Sequence, residues 1–134
     1  MVMAPFFGAD PINIRMRWRL RMSISWGKNE RFKFSSCGSL VHWSPQTIPA
    51  LYAITYKQDP KNKPKSHTVL YFGQADNLAE QAPANNQEIL DTWVRNGGGA
   101  DELFIFIHPM PGSTLRDRLN VQEQLVLEYR PGCN

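Results

Sequence analysis

The 134-residue chain carries a formal net charge of +3, and 42% of its residues are hydrophobic and 20% charged. These proportions are ordinary for a globular protein and argue against a disordered or fibrous chain. No apolar run reaches the length of a transmembrane helix, so no membrane association is expected. The length predicts one domain, or one domain with an extension.

The cysteines and the N-terminus predict a compartment. Cys37 and Cys133 are too few for a disulfide scaffold; one disulfide is an alternative, but two reduced thiols in a cytoplasmic protein is the interpretation we favour. Met1 to Asp10 lacks a cationic segment, so we expect no signal peptide. The spacing of the histidines and cysteines does not indicate a zinc site.

Charge is distributed unevenly along the chain. Residues 1–66 hold eleven Lys and Arg against three Asp and Glu, whereas residues 67–134 hold four against nine. A basic half of this kind is typical of proteins that bind nucleic acid, because phosphates attract clustered Lys and Arg. A solvated surface is the alternative, and charge alone favours it slightly.

Residues 12–26 alternate between apolar and polar side chains, which predicts a long strand with a bend or bulge. A turn at 27–30 and a second alternating run at 31–35 complete a basic β-hairpin. One face of the long strand carries four arginines: Arg15, Arg17, Arg19 and Arg21.

This arginine face has two interpretations. It could follow a phosphate backbone, or it could keep an edge strand soluble. Because four like charges repel one another, we favour an anionic partner: DNA, an acidic protein, or the acidic C-terminal half of the same chain. Aromatic residues are absent from this face, so base stacking there is not expected.

The remaining chain reads as alternating strands and helices after a linker at 36–49. Two apolar runs, 50–56 and 68–73, flank a lysine-rich loop and predict an antiparallel hairpin. Pro83 should end a short helix over 74–81, and Asn86 should cap a second one over 87–95. A buried strand at 103–107 and a helix at 114–129, capped by Ser113, follow.

This order predicts an α/β fold: a small sandwich with a three-stranded, largely antiparallel sheet flanked by helices, plus the N-terminal basic β-hairpin. We divide the chain into a basic, β-rich extension at residues 1–48 and a domain at residues 49–134.

Short motifs in the two central strands and the last helix carry a resemblance to a known family. The strand motifs are Leu51–Ile54 and Tyr71–Gln74, the latter followed by Asn77 and Leu78. The helix motif Glu123–Val126 precedes the terminal segment Tyr129–Asn134. In this order they resemble the strands, turn and closing helix of the GIY-YIG nuclease superfamily. The resemblance covers residues 49–134 and not residues 1–48.

The resemblance implies a metal-dependent DNA endonuclease domain. Tyr52 matches a tyrosine that acts as general base or positions water, and Tyr71 matches a second tyrosine that frames the site. Gly73 matches a glycine that lets the chain turn toward the helix. Glu123 matches the carboxylate that binds one divalent metal, and Asn134 matches an asparagine that braces the site. One carboxylate with phosphate oxygens and water suits magnesium.

One position departs from the family pattern. The first-helix arginine falls at Gln81, eight residues after Gly73. Its amide can donate a hydrogen bond to phosphate but carries no charge, and loss of such a donor commonly lowers the rate by orders of magnitude. A histidine often found nearby is also missing, and Asn85 and Asn86 occupy its neighbourhood. Three arginines are candidates for the missing charge: Arg95, Arg116 and Arg118.

Two functional hypotheses follow. The first is a magnesium-dependent DNA endonuclease that uses Tyr52, Tyr71 and Glu123 while the basic hairpin holds the DNA backbone. The second is a catalytically degenerate relative, retained as a DNA-binding or protein-interaction module. A plain structural interpretation also exists, in which the tyrosines are ordinary strand residues and Glu123 pairs with Arg116.

Overall fold

The computed structural model describes residues 22–57 and 67–134, so Arg15, Arg17, Arg19, Arg21 and the lysine-rich part of the predicted loop lie outside the described residues. Within these ranges the predicted α/β class is confirmed. The elements are β1 (Ser23–Trp26), β2 (Phe32–Ser39), β3 (Ala50–Lys57), β4 (His67–Ala75), α1 (Leu78–Arg95), a 3₁₀ turn (Ala100–Glu102), β5 (Leu103–Pro109) and α2 (Leu115–Tyr129).

The strands form one five-stranded sheet in the order β1-β2-β5-β3-β4, and every neighbouring pair is antiparallel. The predicted sheet of three strands was too small, because the N-terminal hairpin joins it by pairing Ser35 with Ile107. Phe34 on β2 is fully buried, and burying that ring requires the hairpin to share the core. The predicted boundary at residues 48 and 49 thus falls between strands of a single sheet.

The sheet is covered on both faces, and β3 is an interior strand that lies between β5 and β4. Every residue from Ala50 to Ile54 is at most 2% exposed. Successive side chains point to opposite faces of a strand. Tyr52 therefore joins the core cluster under α1, whereas Leu51 joins the cluster that includes Leu125 of α2. The two helices accordingly pack on opposite faces of the sheet.

Helix α1 is continuous where the sequence predicts two helices. Pro83 lies inside it, and an internal proline costs about 3 kcal/mol because it removes a backbone hydrogen bond. Burial of one helix face against the sheet offsets this cost, so the predicted break at Pro83 and cap at Asn86 are wrong. Asn77 is the N-cap, and its Oδ1 accepts from the Ala79 N–H at 3.0 Å. The buried residues of α1 are Leu78, Ala82, Asn86 and Ile89.

Helix α2 begins one residue later than predicted. Thr114, not Ser113, is its N-cap: Thr114 Oγ1 accepts from the Asp117 N–H at 3.1 Å, and Asp117 Oδ2 accepts from the Thr114 N–H at 2.9 Å. These reciprocal bonds lower the pKa of the Asp117 carboxyl and explain the choice of cap, because Ser113 has no acidic residue three positions on.

Two further observations bear on the sequence predictions. Neither helix in the described ranges is long and apolar enough to cross a membrane. Cys37 and Cys133 do not form a disulfide with each other.

We expect Pro83→Ala to raise the free energy of unfolding by about 1–3 kcal/mol. Alanine restores the backbone N–H, so the Ala79 carbonyl gains its helical hydrogen bond. Urea unfolding followed by circular dichroism measures the change. Ala84→Gly, at the next exposed position, is the matched control and should lower stability by about 1 kcal/mol. A Pro83→Ala protein no more stable than wild type would show that the proline itself supports this helix.

Candidate functional site

The Tyr52 ring lies directly across Gly73 of the neighbouring strand, with which it is in register. A Cβ atom added at Gly73 would approach Tyr52 Cζ to 2.3 Å, which is too close for any side chain. Gly73 lies within β4, not at a turn into the helix. The glycine that the sequence associates with a turn is therefore required here by close packing of the tyrosine ring.

The second tyrosine completes a pair under α1. Tyr71 is half-buried, and its ring centroid lies 5.9 Å from that of Tyr52. Asn85 of α1 donates from Nδ2 to the Tyr52 hydroxyl at 3.1 Å. The structure thus brings together the two predicted tyrosines, Gly73 and a residue that sequence reasoning had assigned no role.

The Tyr52 phenol is poorly suited to act as a base. Tyr52 is 2% exposed, and this burial raises the pKa of its hydroxyl far above the ordinary tyrosine value. The hydrogen bond from Asn85 lowers the pKa of Tyr52 by less than burial raises it, and Tyr71 raises the pKa by a smaller amount. The phenol is therefore neutral at physiological pH, and it can donate or accept a hydrogen bond without taking up a proton.

Gln81 serves the backbone at the start of α1. Its Oε1 accepts from the Asp76 N–H at 2.6 Å and from the Asn77 N–H at 3.2 Å. The side-chain amide of Gln81 thus stabilises the turn between β4 and α1. Gln81 also lines a cavity of about 380 Å³ that contains Arg118.

Arg118 is the candidate arginine that shares a cavity with Gln81. It is 2% exposed, and Nη1 donates to the Ser113 carbonyl and hydroxyl at 2.9 and 2.8 Å. Nε donates to Gln74 Oε1 at 3.0 Å, while Nη2 lies 3.5 Å from the exposed Asp76 carboxylate. Through these contacts Arg118 links α2 to the C-terminal end of β4. Arg95 is near the end of α1, and Arg116 lines a different cavity.

Glu123 does not join the tyrosine pair. It is exposed on α2, whose residue Leu125 packs in the cluster on the sheet face opposite Tyr52. Gln122 beside it donates to the Phe72 carbonyl of β4 at 2.9 Å. Glu123 lines a cavity of about 250 Å³ with neighbours from its own helix, including Arg116. Among the described residues the one ion pair is Arg118–Asp76, so the predicted Glu123–Arg116 pair is not formed.

The surroundings of Glu123 do not fit a magnesium site. Arg116 lines the same cavity, and its positive charge disfavours a bound cation beside Glu123, the one carboxylate of that lining. In the described part of the chain no group of three or more His, Cys, Asp or Glu could hold a metal ion. Magnesium therefore stays a prediction.

Asn134 holds the edge of β4 next to the tyrosine pair. Its Oδ1 accepts from the Phe72 N–H at 2.8 Å, and its Nδ2 donates to the Phe72 carbonyl at 2.9 Å. Phe72 lies between Tyr71 and Gly73, so this amide braces the strand that carries both. The bracing role that the resemblance implies for Asn134 agrees with these two bonds.

Sequence reasoning missed Asn85 and Gln122, which form hydrogen bonds with Tyr52 of β3 and Phe72 of β4. Asn85 lies four residues after Gln81, and this spacing on a helix was the available signal. Gln122 gave no comparable signal because its partner is a backbone carbonyl.

Comparison of the chain with family models, curated proteins and solved structures finds no match. The GIY-YIG resemblance therefore rests on the ordered motifs, and it stays a proposal.

We expect Gly73→Ala to destabilise the protein by about 1–3 kcal/mol, because the new methyl group overlaps the Tyr52 ring. Urea unfolding measures the change, and Gly132→Ala is the matched control, since a Cβ there meets no atom within 4 Å. In a Tyr52→Leu background the same change should cost less. Equal costs at Gly73 and Gly132 would contradict the packing argument.

Stability should fall above about pH 10, where an unfolded tyrosine loses its proton. The folded-state pKa of Tyr52 is higher, so the stabilisation is complete below this pH and is lost as the pH rises. Tyr52→Phe removes this contribution. The free energy of unfolding of the variant should therefore decline less steeply with pH than that of the wild type between about pH 9 and 11, which is roughly one pH unit on either side of the ordinary tyrosine pKa. Parallel declines in the two proteins would refute the assignment.

Proposed function

We propose that this protein is a catalytically degenerate GIY-YIG-like module that binds DNA without hydrolysing it. One observation carries the proposal: Tyr52 packs under α1, whereas Glu123 is exposed on α2, which covers the other face of the sheet. A nuclease of the kind that the resemblance implies needs both groups at one phosphodiester.

The other site residues support the same proposal. Because the pKa of Tyr52 is raised, its hydroxyl is not present as a phenolate that could activate water. The same hydroxyl accepts a hydrogen bond from Asn85. Gln81 supplies no charge, and its oxygen is engaged by two backbone N–H groups. Tyr52 and Gln81 are thus engaged in hydrogen bonds that stabilise the fold, whereas a nuclease would need both side chains to act on the substrate.

The charge distribution supports DNA as the partner. Lys28 and Arg31 are exposed in the turn between β1 and β2, and Lys33 is exposed on β2. In sequence, this hairpin directly follows the arginines at positions 15–21. Clustered cations bind phosphates with a strong dependence on salt. An acidic protein would also bind such a cluster of cations, but the GIY-YIG resemblance favours DNA as the partner.

An active endonuclease is the second candidate, and one contact favours it. Arg118 lines the same cavity as Gln81, so a guanidinium stands near the position where the family has its arginine. This arginine is fixed by Ser113 and Gln74, however, and lies on the side of α2 that packs on the sheet. We therefore rank this candidate second.

The binding prediction is tested with a DNA duplex over a range of salt concentrations. Replacing the arginines at positions 15, 17, 19 and 21 with glutamine should reduce the slope of log affinity against log salt by up to about four. Arg95→Gln, near the end of α1, is the control and should leave the slope unchanged. Tighter binding to polyglutamate than to duplex DNA would favour an acidic protein as partner, and binding to neither would refute the proposal.

The cleavage prediction is tested by nicking of supercoiled plasmid with magnesium or manganese. Wild type, Glu123→Ala and Gln81→Arg should all leave the plasmid intact, since neither change moves a carboxylate toward the tyrosines. Nicking by the wild type that disappears in Glu123→Ala would overturn the proposal in favour of the endonuclease. Nicking that appears only in Gln81→Arg would identify the missing arginine as the sole defect, which also contradicts our geometric argument.

A further inference from the structure

The outward face of α2 carries leucines that the described part of the chain leaves uncovered. Leu115 is 54% exposed and Leu127 is 68% exposed, the highest values among the large hydrophobic side chains of residues 22–57 and 67–134. Leu119 lines the cavity of about 250 Å³ on this face together with Leu115. A single exposed leucine is ordinary on a protein surface. Three along one helix face form an apolar surface that association with another molecule would bury.

Two opposite charges lie among these leucines. Arg116 and Glu123 are both exposed and line the same cavity. They are separated by roughly 10 Å along the helix, at a rise of 1.5 Å per residue. Neither forms an ion pair with another described residue. Helix α2 therefore presents one cation and one anion to a partner, at a fixed separation along its axis.

This arrangement of charges is complementary to itself. A twofold axis perpendicular to α2, midway between positions 119 and 120, lays the helix antiparallel on the same helix of a second copy. Arg116 then lies opposite Glu123 of the second copy, because the two positions are equally far from the axis. The symmetry repeats this contact in the other direction, as in every isologous interface. Two ion pairs result, and the Leu119 side chains of both copies lie next to the axis.

We propose that this face of α2 binds a second copy of the same chain and forms an antiparallel, twofold-symmetric pair of helices. The charges select this occupant. A partner of one sign, such as DNA, would be attracted by one of the two side chains and repelled by the other. A second copy satisfies both charges at once and covers the leucines.

The size of the face limits the strength of this association. From Leu115 to Leu127 the helix is roughly 18 Å long. Two helices of this length bury roughly 1,000 Å² in total, which is at the lower end of specific interfaces. We therefore expect a reversible dimer with a Kd of about 10–100 µM.

The first test is sedimentation equilibrium of the full-length protein at concentrations from about 1 µM to 1 mM, which span the expected Kd. The mean mass should rise from that of the monomer to that of the dimer and then stop, because a twofold interface is closed. A monomer at every concentration would overturn the inference and leave the face to a different occupant. Continued growth beyond the dimer would contradict the proposed symmetry.

The second test reverses the charges. Arg116→Glu and Glu123→Arg each place like charges opposite one another at both contacts, so each should weaken the dimer by about tenfold or more. The two changes in one chain restore opposite charges and should restore the dimer. Arg95→Glu, at an exposed position of α1, is the matched control and should leave the Kd unchanged. Dimerisation that survives both single changes would place the interface elsewhere.

A mixing experiment tests the antiparallel register itself. At positions 116 and 123 the Arg116→Glu protein carries two negative charges, whereas the Glu123→Arg protein carries two positive charges. When they are mixed, both contacts of the twofold pair join opposite charges. The mixture should therefore dimerise at concentrations where each variant alone is monomeric. A mixture that stays monomeric, with circular dichroism showing both variants folded, would overturn the inference.

This inference is independent of the DNA proposal, because Arg116 and Glu123 lie outside the basic hairpin. Dimerisation is measured without nucleic acid, and DNA binding is measured at protein concentrations below the dimer Kd. Either result can then fail while the other holds.

Discussion

The burial of residues 50–55 of β3 on both faces is the constraint from which the arrangement of this protein follows. A strand with no exposed side needs a covering layer above and below. Helix α1 covers the face with Tyr52, and α2 covers the face with Leu51. Glu123 is exposed on α2 and therefore belongs to the helix that covers the face opposite Tyr52.

The tyrosine pair is a packed structural unit. Gly73 makes room for the ring of Tyr52, Asn85 holds its hydroxyl, and Asn134 braces the strand between the two tyrosines. This arrangement needs the same residue types that the nuclease resemblance relies on. Packing alone can therefore account for these residues, and their presence is weak support for catalysis.

The sequence predicted those features that depend on local pattern. The alternating and apolar runs that became β3, β4 and β5 were recognised because strand periodicity is a property of neighbouring residues. The pairing of β2 with β5 was missed because it joins residues far apart in sequence. Pro83 predicted a break because local propensity ignores the sheet that holds both halves of α1 in place. The direction of Glu123 depends on how Gln122 and Leu125 turn the helix toward the sheet, which spacing alone did not reveal.

β4 lies at the edge of the sheet, and residues 133 and 134 cover part of that edge. An open edge strand offers unpaired backbone groups to another chain and promotes aggregation. Here Asn134 occupies both backbone groups of Phe72, and the Cys133 N–H donates to the Leu70 carbonyl at 2.8 Å. The tail thus mimics a further strand and blocks this edge against a second molecule. This covering of the edge is separate from the part that Asn134 plays beside the tyrosine pair.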